Sequence, residues 1–72
     1  MKIVKHSNSS RLGNDVMITT DVAIVESLGA FFVVKVEDTR GWMECKDIIT
    51  TDLTTDYCIA VEDYYRLGGK KE

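Results

Sequence analysis

The middle of the chain alternates between apolar and polar positions on either side of a turn. Residues 31–36, Phe-Phe-Val-Val-Lys-Val, are aromatic or β-branched except for one lysine, a composition that fits a pleated and half-buried surface. Residues 38–41, Asp-Thr-Arg-Gly, place an aspartate first and a glycine last, as type I turns do. Alternation resumes over residues 42–49. The pattern predicts a β-hairpin across residues 30–49.

The register of this hairpin has two solutions. A three-residue loop pairs Asp38 with Trp42, whereas a four-residue loop pairs Glu37 with Trp42. The choice matters because one residue of slip turns every side chain of the second strand to the other face. The four-residue loop sets Lys35 opposite Glu44, a favourable charge pair, and groups apolar side chains on one face. We therefore predict the four-residue loop.

The predicted register sets Trp42 on the face opposite that of Val34 and Val36. The other apolar residues on the Trp42 face are Phe31, Val33 and Ile48. This half-apolar face has two interpretations: another strand or helix covers it within the monomer, or it is a recognition patch. Arg40 and Trp42 flank the turn, and arginine and tryptophan are over-represented among binding hot spots.

Two further apolar runs precede the hairpin. Residues 16–20 and 22–26 are rich in β-branched side chains and are separated only by Asp21, which is unfavourable inside a strand. They form two strands, or one strand bent at a bulge. Residues 27–30, Ser-Leu-Gly-Ala, then turn the chain into the hairpin. The sequence thus predicts an antiparallel β meander over residues 16–49.

The N-terminal part of the chain is less regular. Residues 1–5 alternate around Ile3 and suit a short first strand. Residues 7–15, Ser-Asn-Ser-Ser-Arg-Leu-Gly-Asn-Asp, are rich in side chains that compete for local backbone hydrogen bonds, and they match no phosphate-binding pattern. We predict a loop over residues 7–15.

The C-terminal third fits a helix over residues 55–67. Its apolar side chains fall on one helical stripe, formed by Tyr57, Ala60, Val61 and Tyr64. Thr54 or Thr55 is placed to cap the start, and the glycines at 68–69 are placed to end the helix. A strand is the alternative, because the same segment also has apolar side chains at every second position, Tyr57, Ile59 and Val61.

These elements predict one small globular domain, residues 1–72, of the α+β class and mainly β. The expected architecture is a small antiparallel meander sheet with one C-terminal helix, and the alternative is an all-β small barrel. Residues 69–72 are predicted to be a frayed polar tail. A chain of this length buries only about 60% of its unfolded surface, so its core alone contributes a few kcal/mol of net stability. Such chains often depend on a partner.

The net charge of −3 is unevenly distributed. Residues 1–15 carry +2, whereas residues 37–63 hold eight acidic and two basic side chains, a net charge of −6. An acidic surface repels phosphate backbones, so we expect no nucleic-acid partner. The alternative, a small β-barrel that binds nucleic acid, would use the basic residues Lys2, Lys5, Arg11, Lys70 and Lys71.

No catalytic or metal-binding pattern is present in the sequence. Cys45 and Cys58 form no C-x-x-C pair, and His6 is the single histidine, so a zinc or redox site is not indicated. His6 lies close to serines, but no spacing suggests an orienting carboxylate or an oxyanion hole. We expect no enzymatic activity, no cofactor and no metal.

The sequence also carries no sign of export or membrane insertion. Its first residues lack the apolar stretch of a signal peptide, and no apolar run approaches the roughly 18 residues that span a bilayer. We expect a soluble, cytoplasmic protein without a membrane partner.

The leading functional hypothesis is a small non-enzymatic protein-binding module, of the adaptor or inhibitor type, that uses a mixed apolar and charged hairpin face. A homo-oligomeric structural subunit is the alternative. The predicted partner-binding residues are Trp42, Arg40, Phe31, Ile48, Tyr65 and Arg66.

Overall fold

A computed structural model describes residues 1–70 as a four-stranded sheet with one helix. In chain order the elements are β1 (Lys2–Gly13), β2 (Val16–Ser27), β3 (Ala30–Gly41), β4 (Cys45–Thr50) and α1 (Tyr57–Arg66). Every strand pairs antiparallel with its neighbour in sequence, in the order β1-β2-β3-β4. The predicted mainly-β α+β meander is confirmed. The sheet is not closed, so the barrel alternative is wrong.

Two tight turns join the first three strands. Leu28 and Gly29 connect β2 to β3 with φ values of 53° and 82°. Asn14 and Asp15 connect β1 to β2 with φ values of 24° and 66°. Two-residue loops with positive φ at both positions follow the right-handed twist of the strands that they join. The turn predicted at residues 27–30 is confirmed, and β2 is one continuous strand through Asp21.

The N-terminal loop predicted over residues 7–15 is wrong. β1 continues through this serine-rich segment to Gly13 and pairs with β2 along its length, with one irregularity between Ile3 and Lys5. Strand propensity depends on context, and here the free backbone edge of β2 supplies the hydrogen-bonding partners. Pairing with a long neighbouring strand overrides the weak propensity of serine and asparagine.

The predicted register of the β3–β4 hairpin is also wrong. β3 extends through the expected turn because Gly41 still pairs with Val16 of β2, so the connection to β4 moves to residues 42–44. Gly41 has a φ of 143°, and a Cβ there would lie 2.6 Å from the backbone oxygen of Asp15. Neither predicted loop occurs: Thr39 is paired with Cys45 instead.

In the observed register, each side chain of β4 lies on the face opposite the predicted one. Ile48 pairs with Val36, so it lies on the face of Val34 and Val36. The predicted placement of Ile48 on the face of Phe31 is wrong. Lys35 pairs with Ile49 and not with Glu44.

The C-terminal helix is confirmed, and the strand alternative is wrong. Asp56, rather than either threonine, caps α1 by accepting the N–H of Cys58 at 2.9 Å. At the other end Gly68 donates its N–H to Tyr65 O at 3.1 Å, and Gly69 donates to Tyr64 O at 2.8 Å. These two bonds form a Schellman motif, which satisfies the last carbonyl groups of the helix.

The predicted frayed tail at residues 69–72 begins later than expected. The N–H of Lys70 donates to the Oγ of Ser7 at 3.1 Å, so the chain returns to β1 after the helix. Positions 71–72 lie outside the described residues.

The core lies between α1 and one face of the sheet, which we call the covered face. Its buried residues are Val22, Ile24, Val33, Ala60 and Tyr64. Tyr64 is fully buried and is the largest of them. Phe31, Val61 and Leu67 pack around this cluster. The other face of the sheet, the open face, has no element packed on it within residues 1–70.

Candidate functional site

An apolar stripe crosses the open face diagonally from β1 to β4. Its members are Ile3, Ala23, Val25, Phe32, Val34, Val36 and Ile48, placed together by strand pairing and by the alternation of side chains. Val25, in the interior of the stripe, is buried, whereas Ile3 and Ile48 at its two ends are 64% and 63% exposed. Ala23, Phe32, Val34 and Val36 are half-buried, and no element of residues 1–70 packs over the stripe.

A polar cluster borders the stripe on β1 and β2. Asn8 Nδ2 donates to Asp21 Oδ1 at 2.7 Å, and His6 Nε2 lies 3.0 Å from the same oxygen. The amide of Asn8 is the main reason that the pKa of Asp21 lies below its ordinary value; partial burial opposes this, and His6 contributes a smaller lowering. The cluster keeps an anionic carboxylate on the open face.

The end of the sheet that holds Asn14 and the β3–β4 connection is rich in exposed apolar side chains. We call it the tip and define it as Leu12, Met17, Arg40, Trp42 and Met43. Trp42 is 72% exposed, yet its Nε1 donates to the backbone oxygen of Asn14 at 3.0 Å. Trp42 is thus exposed and held in position at once.

The structure separates the six predicted partner-binding residues into different places. Trp42 and Arg40 belong to the tip, and Ile48 ends the apolar stripe. Phe31 lies on the covered face, half-buried beneath α1, with its ring 5.2 Å from the ring of Tyr57. It packs against the buried core cluster, on the face opposite Ile48.

The remaining two candidates, Tyr65 and Arg66, are exposed on α1. Arg66 pairs with Asp63 on the same helix at 2.6 Å, and the ring of Tyr65 stands 5.3 Å from that of Tyr64. The six residues do not form one site, but three of them lie on or beside the open face.

Several members of the stripe were missed by sequence reasoning. Val25 and Phe32 stand inside runs that are apolar at consecutive positions, a signal that both faces of the strands carry apolar side chains. Which of these faces stays open depends on where α1 packs, and no local pattern specifies that.

The described basic residues of the set considered for nucleic acid lie on or beside β1. Lys2, Lys5 and Arg11 belong to this strand, and Lys70 is joined to it through Ser7. Lys5 Nζ stands 5.7 Å from the centroid of the Tyr64 ring. Of the basic set considered for nucleic acid, Lys71 lies outside the described residues.

The described part of the chain shows no further chemical constellation. Within residues 1–70 no three histidine, cysteine or acidic side chains are grouped closely enough to hold a metal ion. Cys45 and Cys58 are exposed and not bonded to each other. Over the same residues, no helix combines the length and apolar character needed to cross a membrane.

Comparison with other proteins finds no relative of this chain. No protein-family model matches the chain, and neither the curated proteins nor the solved structures contain a match.

Proposed function

We propose that this chain is a small non-enzymatic protein-binding module, of the adaptor or inhibitor type, and that its partner covers the open face of the sheet. The observation that carries this proposal is the apolar stripe, which crosses that face without a cover. Contiguous exposed apolar surface with a polar rim is typical of protein interaction sites.

The shape of the stripe favours a single amphipathic helix as the occupant. From Ile3 on β1 to Ile48 on β4 the stripe crosses three strand spacings and four residues of rise, a diagonal of about 20 Å. A helix of about 13 residues has this length. A second sheet would need an apolar inner face throughout, whereas Asn8, Thr19 and Asp38 make half of this face polar.

Two opposite charges lie along the same side of the stripe, the side toward the tip. Asp21 is on β2, and Lys46 is on β4. A helix that places basic side chains over Asp21 and acidic side chains over Lys46 complements both. Such complementarity fixes orientation and suppresses wrong partners.

The tip extends this surface with a tryptophan. The hydrogen bond from Trp42 to Asn14 O restricts the indole before binding, which reduces the ordering cost of the interface. If the indole contacts the partner, Trp42→Ala should weaken binding by about 2 kcal/mol or more while the fold stays intact. Trp42 fluorescence in the isolated protein should be red-shifted and readily quenched, because the ring is 72% exposed.

The test is affinity capture from the source cells with three baits: the natural chain, Ile48→Lys and Glu62→Lys. Ile48→Lys puts a charge in the stripe, whereas Glu62→Lys puts the same side chain on an exposed position of α1. A partner retained by the natural chain and by Glu62→Lys, but lost by Ile48→Lys, supports the proposal. A photo-crosslinker at position 48 should then label a helical segment of that partner.

Two results would contradict this assignment. Equal capture of the partner by all three baits would show that the stripe is not part of the interface. Sedimentation at a multiple of 8.1 kDa at micromolar concentration without a partner, abolished by Ile48→Lys, would favour the homo-oligomeric alternative.

A further inference from the structure

The two free edges of the sheet differ in how they resist pairing. β1 carries Lys2, Lys5 and Arg11, has an irregularity near Ile3, and is joined to the C-terminal segment through Ser7. Lysines and bulges are the usual means by which proteins prevent an edge from adding another strand. β4 is short, regular and exposed at all six of its residues, with one lysine and one aspartate. β4 is the edge that is open to another strand.

The backbone groups that β4 offers follow from its pairing with β3. The N–H of Thr51 donates to Val33 O at 3.0 Å. Hydrogen-bonded positions alternate along an antiparallel pair, so the odd-numbered residues of β4 bond to β3. Lys46, Ile48 and Thr50 therefore direct their N–H and C=O groups to the free edge.

A cleft of about 470 Å³ lies beside this edge, between β4 and α1. It exists because, within residues 1–70, α1 packs against β2 and β3 and does not approach β4. The apolar residues that line it are Ile49, Leu53, Ile59 and Leu67, of which the first three are exposed. The Asp63–Arg66 ion pair forms part of its polar lining.

We propose that the groove between β4 and α1 binds an extended segment of a partner protein, which adds to β4 as a fifth strand. An edge strand beside a helix supplies both parts of this recognition mode: main-chain hydrogen bonds give affinity, and a pocket for alternate side chains gives specificity. The segment bonds to Lys46, Ile48 and Thr50, and every second side chain enters the cleft. Those side chains are apolar where they meet Ile49 and Ile59.

The charged side chains that line the cleft specify one further position of the segment. They are Asp52, Asp63 and Arg66, of which Asp63 and Arg66 pair with each other. The segment therefore carries one lysine or arginine among the side chains that enter the cleft, where it meets Asp52. A second copy of this chain has a net charge of −3 and is the less favourable occupant, so the segment belongs to a different protein.

This groove is a second surface, on the side of the sheet opposite the apolar stripe. Its occupation does not require the open face to be covered, and the proposed function does not require the groove. The two surfaces are separated by variants: Ile59 lines the groove, whereas Ile48 places its side chain on the open face.

The probe is a phage-displayed library of random octapeptides, selected on the natural chain. The variants are Ile59→Lys, which places a charge in the cleft, and Glu62→Lys, which places it on an exposed part of the same helix. Circular dichroism and thermal unfolding establish that both variants fold. We expect enriched peptides with apolar residues at alternate positions and one basic residue in the same row, with affinity at least about tenfold weaker for Ile59→Lys and unchanged for Glu62→Lys.

Amide exchange with an enriched peptide identifies the binding mode. Protection should rise at the amides of Lys46, Ile48 and Thr50, and N-methylation of alternate peptide residues should abolish binding because it removes the edge-facing donors. The proposal is overturned by a selection without enrichment, by peptides that bind Ile59→Lys equally well, or by protection of these amides that depends on protein concentration without peptide. The last result would show pairing of β4 between two copies.

Discussion

Asp21 carries a charge in the middle of β2, where aspartate is unfavourable. The structure compensates with donors from β1, the Asn8 amide at 2.7 Å and the His6 ring at 3.0 Å. Because the bonds favour the ionised form, they lower the pKa of Asp21. An aspartate that interrupts the apolar pattern is thereby accommodated, and it places a charge beside the apolar stripe.

Removal of the Asn8 amide should raise the pKa of Asp21 toward its ordinary value. The folded pKa lies below the unfolded one, so this group stabilises the fold above about pH 3.9 and loses that contribution as the pH falls through the lowered value. In Asn8→Ala, the part of the folding stability that is lost on acidification through Asp21 should be smaller. Titration of the Asp21 carboxyl by NMR measures the change. His6→Ala is the comparison and should shift the pKa less; an unchanged pKa in Asn8→Ala would contradict the assignment.

Leu28 occupies a backbone conformation that suits other residues better. Its φ is 53°, and its side chain is fully exposed. The left-handed region costs an L-residue with a Cβ roughly 1–2 kcal/mol, whereas asparagine is tolerated there. Leu28→Asn should therefore stabilise the protein by about 1 kcal/mol in urea unfolding. Leu28→Ala keeps the Cβ and should give no such gain; equal effects of the two variants would show that the turn is not strained.

At the scale of the elements, the sequence identifies those with strong local patterns. β2, β3 and α1 follow from apolar periodicity and from the glycines at 68–69. β1 is different, because its serines and asparagine gain strand structure only from β2, a non-local effect. The β3–β4 register escapes local reasoning as well, since continued pairing with β2 recruits the expected turn into β3.

The residues of the candidate site, like the strands and the helix, were predicted only in part. Arg40 lies near the end of β3 and Trp42 begins the connection to β4, so both are at the end of the hairpin, and both are exposed. The predicted register places Phe31 and Ile48 on one face, whereas the observed register places them on opposite faces. A face prediction fails completely when the register slips by an odd number of residues, because side chains alternate with a period of two.

The end of α1 makes a close contact that tests the Schellman closure. A Cβ at Gly69 would overlap the ring of Tyr64, and Gly69 also donates its N–H to Tyr64 O. Gly69→Ala should destabilise the protein by roughly 1–3 kcal/mol, the usual cost of overpacking. Gly13→Ala is the control, since its added Cβ meets nothing within 4 Å. Equal urea midpoints for the two variants would mean that the chain beyond Leu67 is not packed as described.

At the scale of the whole molecule, a long sheet is stabilised from one side only. Its extents are 41 × 21 × 17 Å, and α1 is ten residues long, about 15 Å. The helix covers one part of one face, while the open face and the β4 edge retain apolar or hydrogen-bonding groups. Both proposed interactions add what the monomer lacks: a second cover for the sheet and a partner for its edge.

This arrangement predicts that all elements share one cooperative core centred on Tyr64. The side chain is fully buried between α1 and the sheet, so Tyr64→Ala should cost roughly 3–5 kcal/mol. A core of this size contributes no more than about that amount in total, so the variant should lose the sheet together with the helix. Amide exchange and circular dichroism measure the two losses separately.

Ile48→Lys is the matched control for that experiment. Its side chain is 63% exposed on the open face, so the change should alter the unfolding free energy by no more than about 0.5 kcal/mol while it removes partner binding. A Tyr64→Ala protein that loses α1 but keeps protected amides in β2 and β3 would contradict a single core. The sheet would then be stabilised through its open face, and the same measurement on Ile48→Lys at two protein concentrations would show whether a second copy provides that cover.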